Sequence, residues 1–243
     1  MTAEQQPRRL MRVEAPQDCR IVERLNRFVV VIEVKGIAHR AHLTNTGRLA
    51  EFMLPGQKAF CFRTYHGGAT DYRLFAIEEC GLGAVIDTWL QMDAFEAALQ
   101  QQLIPWLRGC QLRSKNTPLG ASRIDYLLDC PRGAWYLEVK SAVLRDGAYA
   151  LYPDCPSERG RKHIRELTVH VRRGGSGILV FMAALPGVRA FKPNRAADPE
   201  LYELLREANA TGVEVRALGL YFNPEDAWVY LYANDLKVEL VEN

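Results

Sequence analysis

The sequence predicts a mixed α+β protein of two domains, 1–82 and 83–243: a small antiparallel β-barrel, then a mixed sheet flanked by helices. Three observations predict it. Residues 19–79 alternate apolar and polar side chains in short runs separated by turn residues. Near Gly81–Gly83 the pattern changes, and helical stripes begin to alternate with short strands in the order α-βββ-α-β-α-β. The strands at 123–129 and 135–141 flank a Pro131/Gly133 turn and carry two carboxylates and a lysine at one parity.

In the first domain, 28–34 reads as a strand, Gly36 as a turn, and 37–43 as its hairpin partner. Runs at 58–65 and 72–77 follow, separated by a turn around Gly67–Gly68. Four or five such strands in about 60 residues fit a small closed barrel, with the OB-fold as the natural candidate. Residues 1–17 read as a loose arm. It is polar, carries Arg8, Arg9 and Arg12, and lacks the apolar region that a secretory signal requires.

In the second domain, Asp93 and Glu96 suit a capping box that opens a helix with Phe95, Leu99 and Leu103 on one face and Pro105 as its stop. A strand at 110–114 precedes the central hairpin, and 144–150 leads to a loop holding Asp154 between Pro153 and Pro156. A helix from Ser157 shows the stripe Ile164, Leu167 and Val171; 178–185 is a buried strand. Asp198-Pro199 opens a helix that ends at Gly212, and 213–222 closes the sheet.

Of the 243 residues, 48% are hydrophobic and 25% charged, ordinary for a globular chain long enough to bury a large core. The longest apolar run, 178–186, is far too short to span a membrane. Six cysteines without C-x-x-C spacing argue against a zinc site or disulfide framework and for a reducing cytoplasm. Net charge is only +2, but residues 108–173 hold 13 Lys/Arg against 7 Asp/Glu, so the positive field surrounds the acidic hairpin. That suits a polyanionic partner. There is no P-loop and hence no sign of ATP dependence.

Ile124, Tyr126 and Leu128, with Trp135, Leu137 and Val139, form the core parity of the hairpin. Asp125, Glu138 and Lys140 take the other face. Counting outward from a turn at 132–133 or 131–134 sets Asp125 opposite Lys140 at about 5 Å, with Glu138 on a diagonal of about 7–8 Å. Paired carboxylates repel, and a hard cation such as Mg²⁺ or Mn²⁺ relieves the repulsion while keeping positions for water and phosphate oxygens. The lysine then serves the attacking water or the phosphate charge. Alone, the trio reads first as a surface ion-pair cluster, and it is the rest of the chain that turns the reading toward a metal site.

The helix after Ser157 offers Lys162, His163 and Glu166 as further active-site residues, or an exposed helix with i,i+4 pairs. Asp154 and Glu96 are additional acidic candidates, each with a plain alternative in a turn or a cap. His163, Glu166 and His170 lack the spacing of H-E-x-x-H.

Asn45-Thr46-Gly47, Pro55-Gly56, Ser122-Arg123-Ile124-Asp125, Glu138-Val139-Lys140-Ser141 and the run from Tyr152 to Leu167 together resemble the SfsA (sugar fermentation stimulation protein A) family. The blocks occur in the family's order and cover about residues 20–223. Ile124 stands where the superfamily motif's name has proline, and Cys155-Pro156 replaces small aliphatic residues. The resemblance implies an N-terminal OB-fold and a restriction-endonuclease-like PD-(D/E)xK domain. It implies a DNA or RNA nuclease with Asp125, Glu138 and Lys140 as catalytic trio, the two carboxylates holding Mg²⁺ or Mn²⁺. Nucleic acid would then meet Arg24, Arg27, Arg40, Asn45 and Arg48 in the barrel, and Arg123 and Arg159 beside the trio. The rival expectation is a non-cleaving DNA-binding regulator of sugar-metabolism genes; a hydrolase of small phosphodiesters is a third. Oligomeric state, including a homo-oligomer, stays open.

Overall fold

The computed structural model describes residues 6–64 and 68–240; Tyr65 and Gly67 of the sequence reading, with residues 1–5 of the arm, lie outside them. The chain divides into two compact units. The first runs to Ala97 and takes in Ala184–Gly187 and Gly219–Ala233; the second holds Ala98–Ala183, Val188–Leu218 and the segment from Asn234.

In the first unit, β1 (Arg8–Arg12), β2 (Gln17–Arg24), β3 (Val29–Val34), β4 (Ile37–His42), β5 (Lys58–Arg63), β6 (Tyr72–Glu79) and β7 (Leu82–Val85) precede α1 (Thr88–Gln100). Strands β4-β3-β2-β5-β6 pair in that order, and β4 closes on β6 in parallel at Ala41↔Tyr72 and His42↔Arg73. A five-stranded OB-like barrel results. The β3–β4 hairpin is closed by a two-residue turn: Lys35 and Gly36 both take positive φ, 51° and 81°, the backbone that a tight turn between twisted strands requires. Inside, Phe75 sits 4.9 Å edge-on to Phe222, and Phe60 lies 5.3 Å from the same ring.

Two expectations are corrected here. The loose arm includes a strand, because β1 pairs with residues 216 or more positions away in the strand 228–233, a partner no local pattern reveals. The first helix starts at Thr88, not Asp93. Asp87, fully buried, accepts from Leu90 N at 2.7 Å and so provides the cap, leaving Asp93 and Glu96 in the helix interior.

The second unit contains β8 (Gln111–Leu119), β9 (Ser122–Cys130), β10 (Gly133–Ser141), β11 (Leu144–Asp146), β12 (Tyr149–Tyr152), α2 (Glu158–Arg172), β13 (Ser176–Ala183), β14 (Ala190–Pro193) and α3 (Pro199–Thr211). Strand β15 (Glu214–Asn223) passes from this unit into the first, where β16 (Trp228–Ala233) lies, and β17 (Lys237–Val238) returns to the second. β8, β9 and β10 form an antiparallel meander, and β10 pairs in parallel with β13. A parallel pair needs a crossover connection, and α2 lies on the segment between β10 and β13. A smaller sheet runs β11-β12-β14-β17.

Asp198 joins the starts of the two helices. It caps α3 through Leu201 N (3.0 Å), accepts from Ser157 N (2.8 Å) and pairs with Arg161. These donors outweigh the cost of burial and hold its carboxyl below the usual range. The cysteine reading is also corrected: Cys110 and Cys130 are disulfide-bonded. One step beyond the pair Gln111↔Asp129, the β8–β9 register sets them opposite each other with Cα atoms 4.1 Å apart. Among the described residues no helix is long and apolar enough to cross a membrane.

Candidate active site

The site is built on the open end of the β9–β10 hairpin. The turn is Pro131–Arg132, which pairs Cys130 with Gly133 and Leu137 with Tyr126. This is two residues from the register expected from the sequence. A shift of two preserves the face, so the trio still converges, but Asp125 stands opposite Glu138 and Lys140 takes the diagonal. Pro131 supplies the fixed φ for the first turn position, and Gly133 resumes the strand at φ 113°.

Where the backbone ladder gives out, the two carboxylates replace it. Asp125 Oδ2 accepts from Val139 N at 2.8 Å, and Glu138 Oε2 accepts from Asp125 N at 3.2 Å. Glu138 is 2% exposed. Its other oxygen meets Lys140 Nζ at 2.5 Å and also His163 Nδ1, reaching from α2. Lys140 Nζ lies 3.5 Å from the same ring nitrogen.

Burial alone would raise the Glu138 carboxyl, but Lys140 and His163 outweigh it and draw it down to about 2. Asp125 moves the other way, up to about 6, through burial and then the charge of Glu138. Burial opposes the charge of Lys140, and Glu138 overcomes it, so the ammonium is held above its usual range. Two neighbouring carboxylates thus differ sharply in proton affinity because one has taken the cations.

Among the described residues no group of three or more His, Cys, Asp or Glu forms a ready metal cage. The donor set nevertheless fits a hard divalent cation. Asp125 and Glu138 offer oxygen only, face each other, and carry a mutual repulsion that a cation relieves. Two carboxylates with water in the remaining positions is the pattern of Mg²⁺-type sites.

The other expected residues fall in several places. His163 joins the trio directly. Lys162 and Arg159, exposed on the first turns of α2, line a groove of about 450 Å³ with Ala121, Ser122, Arg123, Glu158 and His163. Glu166 does not face that groove; it accepts from Ala121 N at 3.0 Å and pins the β8–β9 turn. Gly120 takes φ +56° there, and a Cβ would stand 2.0 Å from the Glu166 carboxylate. Asp154 lies half-buried in the loop before α2, and Glu96 sits on α1 in the first unit.

In the barrel, Arg24 bonds the carbonyls of Asn26 (3.0 Å), Arg27 (3.1 Å) and Arg48, and so clasps two loops. Asn45 is buried and accepts from Gly47 N at 3.0 Å. Arg27, Arg40 and Arg48 are exposed, as are Phe28 and Ile37. Sequence reading missed Ser122, whose buried hydroxyl has no partner in the structure, and the linking role of Asp198. Ser122 carries no spacing signal; Asp198 had already been accounted for as a cap.

Fold and site together define a class: an OB-like barrel followed by an α/β unit whose parallel-paired strand carries a carboxylate pair and a lysine. Residues 22–86 match the SfsA N-terminal OB domain, and residues 89–226 match the sugar fermentation stimulation protein RE domain. The chain belongs to the SfsA family. The sugar fermentation stimulation protein homolog of Pyrococcus furiosus is 46% identical over 232 residues, covering 96% of this chain and 100% of the relative. The homolog of Archaeoglobus fulgidus is 46% identical over 231 residues, covering 95% and 99%. The solved structure of Pyrococcus furiosus SfsA in complex with Ca²⁺ superposes with a TM-score of 0.92 at 45% identity, covering 96% of this chain and 99% of that one.

Proposed function

We propose that the protein is a metal-dependent nuclease of the PD-(D/E)xK type, cutting phosphodiester bonds of DNA, RNA or both in the cytoplasm. The observation that carries this reading is the pair of facing carboxylates with Lys140 buried beside them. Asp125 and Glu138 would hold Mg²⁺ or Mn²⁺, and the solved relative in complex with Ca²⁺ supports a divalent ion. Such an ion, when bound, neutralises phosphate charge and makes water a stronger nucleophile near neutral pH.

The remaining work belongs to the chain. Asp125 stays in place because its second oxygen is tied to Val139 N, and Glu138 because Asp125 N holds it. Lys140 offers an ammonium that stabilises the doubly charged phosphorane-like transition state or orients the water. His163, with Lys140, keeps Glu138 ionised and holds its Oε1 in place. The barrel, 1–82, supplies Arg27, Arg40 and Arg48 for phosphates and Phe28 for base stacking, with Arg24 and Asn45 shaping the loops that present them.

A second reading has its own support, since the curated relatives carry a name drawn from sugar fermentation: a DNA-binding regulator that keeps the fold without cutting. Labelled single- and double-stranded DNA and RNA, incubated with Mg²⁺, Mn²⁺ or EDTA, separate the two. Cleavage that needs the metal and disappears in Glu138→Ala and Lys140→Ala, while binding persists, is the expected result. Tight binding with no cleavage in any metal would leave the regulator.

A further inference from the structure

The cations of α2 divide into two sets. Those turned toward α3 are neutralised: Arg161 pairs with Asp198 (3.0 Å) and Glu200 (3.2 Å), Arg165 with Glu200, and Arg172 with Glu207 (2.5 Å). Those lining the groove are not. Among the described residues Arg159, Lys162 and, across from them, Arg123 form no ion pair, and Glu158 is the one carboxylate in the lining. Three cations around a single carboxylate leave the groove net positive, a field that draws an anion.

The groove is also built rather than incidental. Its β9 side is fixed by the bond from Ala121 N to Glu166, and Ser122 in its lining has a buried hydroxyl without a partner. It opens beside the trio through one shared residue. His163 meets Glu138 with Nδ1, while its Nε2 lies 3.5 Å from Arg159 Nε.

We propose that this groove is a second phosphate subsite, seating a backbone phosphate of the strand next to the one that is cut. The inference rests on the nuclease reading for its geometry, since a strand drawn across Glu138 must place a neighbouring phosphate close by. The recognising chemistry is a guanidinium from Arg123 on one wall, and the ammonium of Lys162 with the guanidinium of Arg159 on the other. The division of the α2 cations then has a meaning: one face holds the fold and the other holds the substrate.

The test is strand binding without turnover. A labelled single-stranded oligonucleotide is titrated in EDTA over a range of salt against wild type, Arg123→Gln/Lys162→Gln, each single variant, and Arg165→Gln/Arg172→Gln as a charge-matched control. The groove double variant is expected to bind about tenfold more weakly, with a salt slope shallower by about 0.7, the loss of one single-strand phosphate contact. The control is expected to stay within about twofold of wild type, since its cations are already neutralised. Arg123 and Lys162 are exposed, so the variants should melt with wild type; the single variants report even if the double does not fold.

Equal weakening by groove and control variants, or none by either, overturns the subsite. A rise in melting temperature with inorganic phosphate, while strand binding ignores the substitutions, also overturns it and leaves a free-ion site. Cleavage with Mn²⁺ at saturating strand is scored separately. If wild type cuts and the groove variants bind normally, the subsite fails alone. If nothing cuts but the groove variants lose binding, the nuclease reading fails and the groove stands only as a strand-phosphate site.

Discussion

The two ends of the β9–β10 hairpin are made of the same strands and do opposite things. At the turn end every opposed pair from Cys130↔Gly133 to Tyr126↔Leu137 is laddered, and a disulfide ties Cys130 to Cys110 beside it. At the open end the ladder stops, and side-chain carboxylates take the N–H groups of Asp125 and Val139. Backbone pairing spends its donors on carbonyls and leaves nothing for a substrate. Carboxylates that take over the same donors are held as firmly, yet keep their charge and their remaining lone pairs. One end fixes the fold, and the other carries the chemistry.

The largest predicted effect breaks the open end. Glu138→Gln keeps the shape of the side chain and removes its charge, so cleavage should fall by more than about 100-fold. Strand binding measured by anisotropy should hold, and a circular-dichroism melt should show a folded protein.

Next comes Lys140→Ala. It leaves the Glu138 charge buried with His163 as its remaining side-chain partner and should cost roughly 3 kcal/mol in urea unfolding, near the value for breaking a buried ion pair. The turn end answers on a similar scale but in stability alone. Cys110→Ser/Cys130→Ser opens a cross-link with a sequence separation of 20, worth about 3 kcal/mol. Its cleavage rate should remain within about twofold of wild type well below the melting temperature.

A subtler effect is in pH. The folded Asp125 carboxyl titrates near 6 against an ordinary value of 3.8, so folding favours its protonated form. That contribution to stability is fully present below the ordinary value and is lost as pH rises through about 6. Metal binding has the opposite sign, because the cation competes with that proton. Mn²⁺ affinity by calorimetry should be flat above pH 6 and fall about tenfold per unit below it. Glu138→Gln should move the break to lower pH by removing the neighbouring negative charge. Smallest of all, Glu166→Gln at the β8–β9 turn should cost about 1 kcal/mol, one charged hydrogen bond made neutral.

The open end was more legible in the sequence than the closed one. Alternation keeps the same residues on one face for any register shift of two, so Asp125, Glu138 and Lys140 converged even though the turn lies one residue, and the register two, from where Gly133 suggested. The long pattern of α2, from its Ser157 cap to its apolar stripe, was equally readable, because helix signals are local. The unread features are non-local. β1 depends on a partner at the far end of the chain, and the Cys110–Cys130 bond depends on a register across two strands. Asp87 displaced Asp93 as the cap because the β7 strand delivers it, buried, to the start of α1; Asp93 and Glu96 have the spacing of a capping box but lie within the helix. His163 was named only as an additional site residue, since nothing in its spacing says that its ring reaches Glu138.

The most direct measurement sets the two ends side by side. Single-turnover cleavage of labelled strand with Mn²⁺ would be followed for wild type, Glu138→Gln and Cys110→Ser/Cys130→Ser under one set of conditions. The account predicts that wild type and the double-serine variant cut at similar rates while Glu138→Gln binds and does not cut. Undiminished cleavage by Glu138→Gln, or none by wild type that binds the strand, would contradict it.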